Sequence, residues 1–131
     1  MTSRIYPVQK SGNLFIVKAS IGRSNAPPSI LQLLIDTGAT QTGLPIDFLR
    51  DIGCPTTSTT PQRTITTGNG VIQVPIVQVP WFNCLGQRVE DFPVLALQLP
   101  VSRYINGILG MDFLTQFQAV IDTGKGFITL P

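Results

Sequence analysis

The chain has 131 residues, of which only 12% are charged, about half the roughly 25% of an average globular protein. That length suits one domain, and an apolar share of 43% excludes disorder over most of it. Histidine is absent, which excludes Ser-His and Cys-His dyads and any His-ligated metal. Two cysteines, Cys54 and Cys84, are too few for a four-thiolate zinc site or a disulfide framework; two buried free thiols are the expectation, with one bridge between them the alternative. The net charge of +2 comes without a basic run, so nucleic acid is not an expected partner. The first residues lack the apolar stretch of a signal peptide. No apolar run approaches the ~18 residues that cross a bilayer. The expectation is a cytoplasmic protein with no membrane partner.

In chain order, residues 1–12 read as a flexible N-terminal segment and 13–131 as the domain. Leu14 to Ile21 reads as a strand, and Ile30 to Ile35 as a second, apolar nearly throughout like a strand covered on both faces. Between them Arg23–Ser29, with Pro27-Pro28, reads as a loop. A short helix fits Pro45 to Ile52, with Phe48, Leu49 and Ile52 on one face and Gly53 closing it. Residues 54–61 form a loop. Gln62–Thr67 and Val71–Val79 flank Gly68-Asn69-Gly70, a strong hairpin signal, and Pro75 marks an edge position or one outside the ladder. Arg88–Leu97 is a further strand. Asn106-Gly107 turns the chain into Ile108-Leu109-Gly110, after which Asp112 is placed to cap a helix over Phe113–Phe117. Ala119–Ile121 and Phe127–Leu130 form a closing hairpin. Glycine (12) and proline (11) punctuate all of this, so the fold class is all-β with one or two short helices.

Without histidine, carboxylates are the natural acid–base groups. Most of the seven sit at caps or polar strand positions. Asp36 ends the apolar run Leu33-Leu34-Ile35 and is followed by Thr37-Gly38-Ala39. A carboxylate at the end of a buried strand is costly unless its neighbours satisfy it, and Gly38 lets the backbone turn tightly enough to offer an N–H. The hairpin tip Thr67-Gly68-Asn69-Gly70 is flexible enough to cover a cleft. Ile108-Leu109-Gly110 can pack against the Asp36 turn. The triplet recurs at Asp122-Thr123-Gly124, but too little chain follows to complete a second site, and D-T-G-K-G between two apolar runs is a good β-turn.

Taken together, LLIDTGATQTG, the glycine-containing hairpin, NGILGMDFL and the terminal strand resemble the retropepsin-like aspartic proteases, single-domain relatives of pepsin. The resemblance implies a closed β-barrel half-domain in a C2 homodimer, a polypeptide substrate, and neither metal nor cofactor. It makes Asp36 the catalytic residue. Thr37, Gly38 and Ala39 become its loop, with the Thr37 hydroxyl tying the two loops of the dimer together. Thr67, Gly68, Asn69 and Gly70 become the flap, and Ile108, Leu109 and Gly110 support the loop. Two departures stand out. Met111 occupies the place of an arginine that pairs across the viral dimer, and the flap lacks the viral glycine-rich run; the G-x-D-F-L pattern lies nearer the cellular and bacterial members. The dimer is expected to use Phe127–Leu130, an apolar strand with an otherwise exposed edge, the alternative being that this edge is masked within the monomer. Two other classes compete: a non-catalytic dimerisation or peptide-binding domain, which has no use for an intact Asp36 loop, and aspartyl-phosphate chemistry, against which the missing lysine and acidic cluster argue.

Overall fold

The inward positions of LFIVKASIGR, namely Val17, Ala19 and Ile21, are all buried in the core, and this strand organises the rest of the chain. A computed structural model describes residues 2–99 and 104–131. Its elements are β1 (Arg4–Pro7), β2 (Gln9–Ser11), β3 (Leu14–Arg23), β4 (Ala26–Ile35), β5 (Gly43–Pro45), α1 (Ile46–Asp51), β6 (Gln62–Thr67), β7 (Gly70–Cys84), β8 (Gln87–Leu97), β9 (Gly107–Leu109), α2 (Met111–Gln116), β10 (Val120–Asp122) and β11 (Phe127–Leu130). Eight strands form one sheet in the order β2-β3-β4-β9-β5-β8-β7-β6, and β3 also pairs with β7. That extra ladder, Ala19 opposite Cys84 and Ile21 opposite Phe82, closes the strands from β3 round to β7 into a barrel, with β2 and β6 left at the ends of the sheet. The strand-rich expectation holds.

Several boundaries differ from those expected, for identifiable reasons. The predicted loop Arg23–Ser29 is a tight hairpin: Asn25 takes the left-handed conformation (φ 55°), and Arg23 pairs with Ala26. Pro27 and Pro28 are tolerated because β4 pairs with β9 only over Leu33–Ile35, leaving their other side unladdered. β7 runs through Pro75 by changing partner there, from β6 to β8. Residues 4–11, expected to be loose, are strands: β1 pairs with β11 and β2 with β3.

That N-terminal pairing also corrects the expectation for the C-terminus. β11 is the middle of a three-stranded sheet, β1-β11-β10, so Phe127–Leu130 has no exposed edge. Its edge is masked within the chain by Arg4–Pro7, and the sheet's free edges belong to β1 and β10. One face of this sheet sends Ile128 and Leu130 into the core, while Ile5 (61% exposed) and Val120 (64%) stand on the other.

The core is built around aromatic rings. Phe82 packs on Phe92 at 4.7 Å and on Phe113 at 5.5 Å between centroids, so α2 is anchored through Phe113 to the β7–β8 hairpin. Leu49 of α1 is fully buried and Ile52, just past its end, nearly so, with Phe48 partly buried against the same core. Both cysteines are free thiols, Cys84 buried and Cys54 half-buried. Burial pushes the Cys84 thiol up to about 12, opposed by a backbone hydrogen bond from Leu85, and burial also raises Cys54. Neither is an activated nucleophile.

Candidate active site

Two parallel strands bring the site together. β4 and β9 lie in register with Leu33 opposite Gly107, Leu34 opposite Ile108 and Ile35 opposite Leu109. The ladder extends one residue further, where the Asp36 N–H donates to the Leu109 carbonyl at 3.0 Å. There β4 ends, and the chain turns: the Ala39 N–H returns to the Asp36 carbonyl (3.2 Å), and the Gly38 N–H donates to Asp36 Oδ1 (2.9 Å). The half-buried carboxylate thus keeps one charge-assisted backbone hydrogen bond. Thr37 and Gly38 are exposed beside it, and Ala39 is half-buried.

The same loop is clamped along its length to the segment after β9. Met111 N–H donates to the Ala39 carbonyl (2.8 Å) and Asp112 N–H to that of Thr40 (3.2 Å). Gly110 fits because it has no side chain: a Cβ there would lie 2.5 Å from the Gln41 carbonyl carbon and 2.9 Å from Thr42 N. Ile108, Leu109 and Gly110 therefore sit directly against the Asp36 loop.

Asp112 is not the helix cap expected of it. The cap position of α2 belongs to Gly110, and Asp112 is the second helical residue; its Oδ1 does accept the Phe113 N–H at 2.8 Å, but its carboxylate also turns back onto Thr42. Thr42 N–H donates to both Asp112 oxygens (3.0 Å each), and Thr42 Oγ1 donates to Oδ1 (2.8 Å). In turn Thr42 Oγ1 accepts from the Gly110 N–H at 3.1 Å. Thr42 is fully buried, so these bonds satisfy a hydroxyl that would otherwise be costly. Sequence reading passed over Thr42 altogether. The only hint was a lone hydroxyl before the buried strand Gly43–Pro45, and nothing local shows that its partner is Asp112.

This network carries a prediction. Asp112→Ala removes the acceptor for Thr42 and leaves buried donors unpaired, costing about 2–3 kcal/mol; Asp112→Asn, which retains one acceptor, is expected to recover part of that loss. Denaturant melts of the two variants measure it.

Two grooves of about 580 Å³ each flank Asp36. One runs beneath the β6–β7 hairpin, between Thr64–Thr66 of β6 and the apolar side chains of Leu95, Leu97 and Ile108. The hairpin tip folds on itself, with Thr67 Oγ1 donating to the Gly70 carbonyl (2.9 Å) and accepting from the Asn69 N–H (3.2 Å). Thr67, Gly68, Asn69 and Gly70 are exposed and do not line this groove; the body of β6 does. The other groove passes Thr37 and is bounded by Phe15, Leu34, Ile121 and Thr123. Among the described residues, Asp36 is the single carboxylate lining either. Asp122 stands apart as a turn residue, its Oδ1 accepting from the Lys125 N–H (2.8 Å) and its carbonyl from the Gly126 N–H (2.8 Å). Among the described residues, no three carboxylate, thiol or imidazole groups are placed to hold a metal ion, and no helix is long and apolar enough to cross a membrane.

A closed β fold that presents one aspartate on a glycine loop, braced by an aliphatic-glycine segment, is the architecture of an acid-protease half. The aspartyl protease family profile matches residues 22–113, and the chain belongs to that family. Its fold is retropepsin-like. It superposes with a TM-score of 0.64 on the crystal structure of a retropepsin-like aspartic protease from Rickettsia conorii, at 18% identity, covering 98% of this chain and 91% of that one. A search of curated proteins returned no match.

Proposed function

We propose that the protein is an aspartic endopeptidase, active as a homodimer in which Asp36 of each subunit forms half of a catalytic pair. The observation that carries this is the solitary carboxylate. Hydrolysis without a covalent intermediate needs one group to take a proton from water and another to give one to the departing amide. Among the described residues, Asp36 has no second acid beside it in either groove. A two-fold axis between two copies of the loop supplies the missing partner. Two carboxylates about 3 Å apart hold one proton between them, because like charges that close do not both ionise cheaply; this is the general pattern of aspartic proteases.

The surface near Asp36 suits such a pairing. Thr37 is exposed at the loop's outer side, free to engage its copy. The β10 strand, an edge of its sheet, borders the same groove through Ile121 and presents Val120 to solvent. Association through this edge replaces the arginine contact that Met111 cannot make. The substrate lies extended across the dyad, with the β6–β7 hairpin as a flap and the tip Thr67–Gly70 closing over it. Leu95, Leu97 and Ile108 receive an apolar side chain next to the scissile bond.

Cleavage of a peptide library by the purified chain tests this reading, and its pH dependence tests the mechanism. Activity requires the singly protonated pair, so rate should be bell-shaped, lost at low pH as both carboxylates protonate and at high pH as the shared proton leaves. The optimum is expected on the acid side of neutrality, with no effect of chelators. Activity that climbs steadily to alkaline pH, or that a chelator removes, contradicts it.

A further inference from the structure

The two grooves beside Asp36 differ in charge. Among the described residues, the one under the hairpin is lined by no basic side chain, whereas the one passing Thr37 contains Lys10. Lys10 is exposed, yet its side chain has a defined seat. Its ammonium lies 5.7 Å from the centre of the Phe15 ring, within cation–π range. Its stem crosses Gly126, where a Cβ would come 2.5 Å from Lys10 Cε. Gly126 has φ +77°, a conformation that favours glycine, so the β10–β11 turn leaves room for the lysine. Among the described residues, the ion pairs join Arg50 to Asp47 and Asp51, and Arg88 to Glu90; no carboxylate pairs with Lys10.

A seated, unpaired cation on the wall of a groove that opens onto the catalytic carboxylate points to an anionic guest. We propose that Lys10 makes this groove a subsite for an acidic side chain of the peptide substrate, a proposal that rests on the peptidase reading. The catalytic pair carries one negative charge, which by itself repels an aspartate or glutamate nearby. The Lys10 ammonium offsets that repulsion and draws the carboxylate to the Phe15 end of the groove. Lys10 is thus a specificity-determining residue, and the preferred substrate combines an apolar residue at the cut with an acidic one a short distance away.

The test is a set of peptides that differ only in carrying Glu, Gln or Lys at each position around the scissile bond. At one position kcat/KM should favour Glu over Gln by about fivefold, the scale of a solvent-accessible ion pair. High salt should erase that preference. Lys10→Met, which keeps the apolar stem, should abolish it, and Lys10→Glu should turn it towards Lys. Cleavage by the wild type with no preference for Glu, or a preference that survives in Lys10→Met, overturns the proposal. So does a Lys10→Met chain that sediments as a monomer, since Lys10 would then be an interface cation. If the wild type cleaves nothing, the peptidase reading fails separately. Fluorescence anisotropy of the same peptides on Asp36→Asn then decides the subsite: Lys10-dependent binding of the Glu peptide supports it, and equal binding of Glu and Gln peptides overturns it.

Discussion

Asp36→Asn is expected to abolish peptide hydrolysis while leaving fold and association intact. The amide oxygen of asparagine can still accept the Gly38 N–H that Asp36 Oδ1 now accepts at 2.9 Å, so the loop keeps its shape. What asparagine cannot do is exchange a proton with water or with the leaving amine. General acid–base groups are worth about 10²–10⁴ in rate, and here one substitution removes both halves of the pair, so a loss of at least about a thousandfold is expected. Melting temperature and sedimentation should hardly change. The internal control is Asp122→Asn in the second D-T-G triplet, where the side chain only closes a turn onto Lys125; its activity should match that of the wild type. Equal losses in the two variants would return the second triplet to consideration.

The second large effect belongs to Gly110→Ala. The nearest neighbours of the added methyl are backbone atoms of Gln41 and Thr42, at 2.5, 2.7 and 2.9 Å, and no side-chain rotation relieves them. Either β9 or the 36–42 loop must move, and movement breaks the Gly110–Thr42–Asp112 hydrogen bonds. Overpacking and lost bonds together are expected to cost about 3 kcal/mol, with kcat falling beyond what the unfolded fraction explains because the Asp36 loop is displaced. Gly124→Ala is the contrast, since its methyl would meet only Asp122 Oδ1 at 3.5 Å, an ordinary contact. Chemical denaturation and peptide turnover of both variants measure the difference.

What could be read from the sequence was what is local in the chain. The alternation in β3, the Gly68-Asn69-Gly70 hairpin and the apolar face of α1 each declare themselves within a few residues. The Asp36 loop and the aliphatic-glycine segment could be picked out as motifs. Contacts between distant segments were not legible. The polar stretch around Tyr6–Ser11 has no strong strand pattern, and β1 exists because Arg4–Pro7 finds β11 at the far end of the chain. That pairing buries the C-terminal edge that was expected to make the dimer, and leaves β10 as the candidate instead. Pro27 and Pro28 signalled a loop, yet a strand with one side unpaired accepts them. Asp112 was given a local partner, the start of its own helix, when the nearby helical N–H groups compete with a buried threonine from the distant segment just before β5. In each case tertiary pairing overrode a sound local reading.

The claim that matters most is that two copies of Asp36 share one active site, and subunit mixing tests it most directly. Wild-type chain is mixed with Asp36→Asn chain in varying ratio at constant total concentration, and peptide turnover is measured after exchange. If each site needs a carboxylate from both subunits, only wild-type homodimers work and activity falls as the square of the wild-type fraction, so an equal mixture retains about a quarter. Activity that falls linearly, with about half remaining in the equal mixture, would mean that each chain carries a complete site and would contradict the account.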